Sequence, residues 1–288
     1  ELVTLGMGNT SGKTAGQIEE KAKQLANSYL PGAQAALYAY TTLFSGEDGR
    51  FDADQSSSRR EAVYSEAFDQ LTRLHAIIRQ GRDYLNRRAA DPELTHETST
   101  NIAAWLGHAW QLSELREAGL VEANAELIQF AFHTHDDVAR REFVDTGIWM
   151  NLGTGKMQFT QTFRPYKAVK YIKGDDSFFR VAQVPELCIY PGEVNPRVRW
   201  DEMVPRPVMA ADLARVRQWA AGDFPMLLKE VKTHLKSPLA EKHPVYAMNF
   251  SRLGEVDGQI VIEDARGERL VLADSRFRSE PATCHLLR

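Results

Sequence analysis

His133, His135, Asp136 and Asp137 put four metal-ligand side chains within five residues, HTHDD. Imidazole nitrogen and carboxylate oxygen suit zinc or manganese, and a metal-bound water brought to a pKa of about 7 is a hydrolytic nucleophile. A metal-dependent hydrolase centred on His133, His135 and Asp136 is therefore one reading, with Asp137 or Glu142 as proton acceptor. Wound as a helix, the cluster fans around its axis, so that His133 and Asp137 share a face while His135 and Asp136 point elsewhere. One cation could then use two or three of these side chains, and His96 or His108 would have to complete the set. The plainer reading is a solvated helix face with Asp136/Arg140 and Asp137/Arg141 as i,i+4 ion pairs. That reading needs no metal, and no cofactor is expected.

A second group of residues interleaves cations with aromatic rings. The stretch Phe163–Lys173 reads FRPYKAVKYIK, and residues 151–200 carry 8 basic against 4 acidic groups. Pro165 at a first turn and Gly174 as a cap predict a helix, with Tyr166, Val169 and Ile172 on one side and Arg164, Lys167 and Lys170 on the other. Arg197 and Arg199 follow beside Trp200. Such a pattern suits phosphates and stacked single-stranded bases. The set Arg164, Tyr166, Lys167, Lys170, Lys173, Arg197 and Arg199 thus forms a candidate nucleic-acid or anion site. The competing reading is a basic surface that docks against acidic helices.

Two further motifs are weaker. Residues 6–14, GMGNTSGKT, have the strand–loop–helix layout of a phosphate loop, but the motif needs glycine five residues before Gly12 and position 7 is Met. A Gly-rich turn leading into a capped helix accounts for it. Cys284-His285 has no partner pair and is no zinc signature.

The elements that would hold these residues change character along the chain. Residues 1–150 carry 14 Lys+Arg against 22 Asp+Glu and two prolines, whereas residues 151–288 carry 21 against 17 and the other ten prolines. Long helices are open to the first part and short elements to the second. Capping boxes at Thr14/Gln17 and Ser58/Glu61 open helices, the first ending before Pro31-Gly32 and the second running to about Arg88 along Val63, Ala67, Leu71, Leu74 and Ile78. Between them, Ala33–Phe44 fits another helix and 45–57 a polar loop. Fourth and fifth helices are expected over about 99–118, closed by Gly119, and 122–145, closed by Gly147. Thereafter Met157–Phe163 and Phe178–Tyr190 look extended and Met209–Ala221 helical. Three runs at 245–250, 259–264 and 269–274 alternate between turn signals as an antiparallel meander. The sequence therefore predicts an α+β protein, an N-terminal α-helical bundle over 1–147 followed by a mixed, β-rich region over 148–288.

Composition is that of a globular chain, with 43% hydrophobic and 26% charged residues and a net charge of −4. Two cysteines are too few for a disulfide framework, and no run approaches the roughly 20 apolar residues of a membrane span. The N-terminal residues lack the pattern of a signal peptide. A cytoplasmic protein without a membrane partner is the resulting expectation.

Two stretches, LCIYPGEVNPRVRW (Leu187–Trp200) and FPMLLKEV (Phe224–Val231) leading into QIVIEDARGERLVLAD, resemble proteins encoded beside bacterial SWIM zinc-finger proteins, in operons with MoxR-type AAA+ ATPases and von Willebrand A-domain proteins. The SWIM cysteine/histidine motif is absent here. The resemblance implies a companion or scaffold subunit with protein partners. The first expectation for function is accordingly a non-enzymatic interaction or assembly module of a cytoplasmic bacterial multi-component system.

Overall fold

The structure is a computed structural model and describes residues 12–43, 57–91, 93–137, 141–192, 194–257 and 259–272. The loop of the phosphate-type motif (6–11), nearly all of the polar loop and Cys284-His285 lie outside them. Helices come first and antiparallel strands follow, so the α+β class holds. The chain forms two units, Glu1–Trp110 and Gln111–Arg288, dividing nearer the N-terminus than the expected change at 147.

The first unit holds α1 (Gly12–Asn27), α2 (Pro31–Thr42), α3 (Ser57–Ala90) and the single turn α4 (Ile102–Trp105). Pro31 opens α2 in its first turn, where no backbone N–H is needed. Ala22, Leu37, Tyr40, Val63 and Ala67 form the core, with Leu71 and Leu74 packed on it. Further along α3 the buried face follows Ile77 and Tyr84, whereas Ile78 is exposed. Gly32 lets α2 touch α4, since a Cβ there would lie 2.1 Å from the Trp105 carbonyl oxygen.

The helix expected over 99–118 is broken. Gly107 has φ +96° and its missing Cβ would collide with Pro31 Cδ and the Tyr29 carbonyl oxygen, at 2.7 and 2.8 Å. Only glycine passes that corner. The rest of the expected helix is α5 (Leu112–Glu117), closed by Gly119 with Leu120 N bonding to Leu115 O at 2.8 Å.

The helix expected over 122–145 is corrected outright. It is β1 (Val121–Asp137), followed by β2 (Glu142–Asn151). The remaining strands of this sheet are β3 (Met157–Pro165), β4 (Val181–Ile189), β5 (Val198–Arg199) and β6 (Val204–Arg206). They are ordered β3-β2-β1-β4-β5, with β6 also on β4. β1 pairs with β4 over Val121–Ile128 and with β2 over Leu127–Asp137, with a bulge between Gln129 and Ala131. A parallel bridge between Phe159 and Arg197 brings the two sheet edges together, so the sheet curls round its own core. That core comprises Ala125, Leu127, Trp149, Ala182, Val184, Leu187 and Val198.

The segment 166–173, expected as a helix, is a run of turns, because Pro165 ends β3 instead of opening a helical turn. Next come α6 (Ala210–Trp219) and α7 (Phe224–His234). Asp212 of α6 is fully buried and accepts from Arg206, Arg215 and Met209 N, while Glu126 of β1 accepts from both arginines. This network ties α6 to β1 and β6.

The hairpin β2–β3 lies against α6. Gly155 has φ +72°, and a Cβ there would sit 2.5 Å from the Trp219 ring. Gly155→Ala is therefore expected to cost about 1–3 kcal/mol in chemical denaturation and to shift Trp219 fluorescence. A variant as stable as the parent would contradict this packing.

The meander is β7 (Arg252–Val256), β8 (Gln259–Glu263) and β9 (Arg269–Val271), turning at Asp257 and Gly267. Its first strand starts after the expected 245–250 run. That run is held instead by Asn195, which donates to the Val245 carbonyl and accepts from its N–H at 3.0 and 2.7 Å. Val261 and Ile262, adjacent on β8 and so on opposite faces, are both buried.

Candidate functional site

The pentapeptide HTHDD is strand, so its faces are set by period two instead of 3.6. His133 and His135 share one face, opposite Thr146 and Val144 of β2, with ring centroids 6.2 Å apart. Desolvation first, and the neighbouring His135 second, lower the His133 pKa. Asp136 lies on the other face and accepts a hydrogen bond from the Tyr166 hydroxyl, which raises the Tyr166 pKa. Among the described residues His133, His135 and Asp136 do not converge as a ligand triad. In the first unit His96 and His108 stack with centroids 4.1 Å apart, and Trp110 stands edge-on to both. Neither histidine is on a helix.

The basic-aromatic residues separate into three groups. Arg164 is taken by the interior. Its Nε and Nη2 donate to Asp145, each at 2.7 Å, and Asp145 also accepts from Thr134 at 2.6 Å and from Asp175 N at 3.0 Å. Burial is the largest influence on Asp145 and pushes its pKa up, yet these bonds together hold it below 3.8. Lys167, Lys170 and Lys173 are exposed on the arch that begins after Arg164. Asp145 grips both ends of that arch, and Gln129 Oε1 fixes its exit by accepting from Phe178 N at 2.7 Å.

Arg197 and Arg199 face a cavity of about 590 Å³ at the end of the curled sheet. Trp149, Phe178 and Trp200 supply aromatic surface, and Trp149 stands edge-on to Trp200 with centroids 5.4 Å apart. The Arg197 guanidinium lies over the Tyr190 and Phe163 rings at 4.7 and 5.4 Å and donates to the Gln161 carbonyl at 3.2 Å. Its Nε is buried without an acceptor among the described residues. Burial, then Arg199, lower the Arg197 pKa, with Tyr190 opposing. Among the described residues neither Arg197 nor Arg199 forms an ion pair.

Polar groups converge on the floor around Gly147 of β2. A Cβ there would lie 2.7 to 2.9 Å from Trp149 Nε1, Thr160 Oγ1 and Gln129 Nε2. Trp149 Nε1 donates to Thr160 Oγ1 at 3.0 Å. Opposite Trp149 on β3, Gln158 is 1% exposed and neither amide atom has a partner among the described residues. Sequence reasoning found the two arginines and Trp200 but missed Trp149, Thr160 and Gln129. The alternation in QFAFHTH (129–135) was the available sign that Gln129 and the histidines lie on a strand.

No protein-family model, curated protein or solved structure matches this chain. No helix among the described residues is long and apolar enough to cross a membrane.

Proposed function

We propose that the protein is a non-enzymatic binding module whose second unit captures an anionic group of a partner in the cavity at the end of the curled sheet. The observation that carries this reading is Arg197, a partly buried guanidinium that, like Arg199 on the same cavity, has no carboxylate partner among the described residues. A cation withdrawn from water without a counter-charge is costly, and an arriving anion offsets that cost. A concave site of this size that mixes aromatic surface with convergent polar groups has the usual form of a ligand site. The resemblance of Leu187–Trp200, which contains both arginines, to companion subunits agrees with a role in an assembly.

Arg197→Gln tests the assignment, because site and scaffold respond in opposite ways. Losing two cation–π contacts removes about 1 kcal/mol, while losing an uncompensated charge returns a similar amount. Stability is expected to change by less than about 1 kcal/mol, and anion binding measured by titration calorimetry to weaken at least ~10-fold, or about 1.4 kcal/mol. Binding unchanged in this variant would remove Arg197 from the site.

A further inference from the structure

We infer that the anionic group is a nucleotide unit presented by a single strand, an inference that rests on the anion-binding reading above. A nucleotide combines a charged phosphate, an aromatic face and a hydrogen-bonding edge, and the cavity offers a counterpart to each. Arg197 and Arg199 supply two cations that form no ion pair among the described residues, and guanidinium matches phosphate oxygen geometry. Trp200 and Phe178, both partly exposed, supply ring surface for stacking. Gln129 and Thr160 place an amide and a hydroxyl at the floor, where both can meet the polar edge of a base.

The arch from Tyr166 to Phe178 favours a strand over a free mononucleotide. Asp175, Asp176 and Phe178 at its end line the cavity, while Lys167, Lys170 and Lys173 stand exposed along it. Tyr171 and, just past the arch, Phe179 are 87% and 85% exposed, so two rings stand in solvent among cations. Exposed aromatics interleaved with lysine are suited to consecutive bases and phosphates. Asp175 and Asp176 are acidic and line the same cavity, so phosphate is directed to Arg197 and Arg199 and away from these carboxylates, which offer acceptors to base amino groups.

The test uses the full chain and tryptophan fluorescence, since Trp149 and Trp200 line the cavity. Four probes are titrated: nucleoside 5′-monophosphates, a single-stranded oligonucleotide of about eight nucleotides, inorganic phosphate and an acidic peptide. The oligonucleotide is expected to bind most tightly, with a log–log salt dependence of about 0.7 per phosphate contacted. Arg197→Gln should weaken it at least ~10-fold, with the melting temperature unchanged. Lys167→Glu with Lys170→Glu should weaken the oligonucleotide and leave the monophosphates unaffected. Monophosphates binding as tightly as the oligonucleotide would overturn the strand and leave a free nucleotide. Phosphate or acidic peptide binding in an Arg197-dependent way, with no nucleotide bound, would overturn this inference and leave the anion-binding module standing. No Arg197-dependent binding of any probe would overturn both.

Discussion

Asp145→Ala is expected to lower the unfolding free energy of the second unit by about 3–5 kcal/mol, the cost typical of breaking a buried ion pair by removing one partner. Asp145 is 1% exposed and accepts four hydrogen bonds, two of them from Arg164. Without it, the Arg164 guanidinium loses both of its hydrogen bonds to this carboxylate and keeps the Phe143 ring, 5.6 Å away, and the more distant charge of Asp175, whose backbone N–H loses its acceptor. Both ends of the arch are released together, so amide exchange over 166–178 should accelerate along with the loss of global stability. Removing Arg164 as well should return part of the loss, because no unpaired charge then remains. A denaturant midpoint unchanged in Asp145→Ala, with arch protection intact, would contradict the structural role given to this carboxylate.

The second large effect is acid sensitivity. At Asp212 the Arg206 hydrogen bonds are the largest influence and hold the carboxyl far below its ordinary 3.8, against opposing burial. At Glu126 burial is largest and raises the pKa, but Arg206 and Arg215 outweigh it, and the result lies below 4.5. Asp145 is lowered as well. A carboxyl whose folded pKa is depressed contributes stability that is fully present above its unfolded pKa and lost as pH falls through the folded one. The stability contributed by Asp145, Asp212 and Glu126 is thus complete above about pH 5 and declines as pH falls below about 4. Thermal unfolding followed between pH 7 and pH 2 should show this decline. Asp212→Asn should be less stable at pH 7 and respond less steeply to acid, since one of the titrating groups is gone. Parallel parent and variant curves would show that Asp212 is not a source of the dependence.

The nature and order of many elements could be read along the chain because they rest on local rules. Pro31 and Gly119 acted as punctuation where expected, and the extended residues of β3 formed a strand. Arg197, Arg199 and Trp200 could be nominated because charge and ring type are visible without a fold. Other elements were decided by contacts between distant residues. The segment VEANAELIQF is rich in helix formers, yet it is paired on both sides, by β4 over its first half and by β2 over its second. Ladder bonds and burial of Ala125 and Leu127 outweigh helix propensities of a few tenths of a kcal/mol per residue. That one reversal moved His133 and His135 onto a strand face and took Asp136 to the other side.

The division of the basic residues was also settled in three dimensions. Arg164 and Arg197 read alike in sequence, but Asp145, 19 residues before Arg164, neutralises only the former. Pairing of β2 with β3 brings that carboxylate beside Arg164, whereas Arg197, on the closing bridge to Phe159, lies over the Tyr190 and Phe163 rings and forms no ion pair among the described residues. Sequence determined which side chains were available for binding an anion. The strand register decided which of them were already spent on holding the fold, because a buried charge must find its partner in space and the chain order does not say where that partner lies.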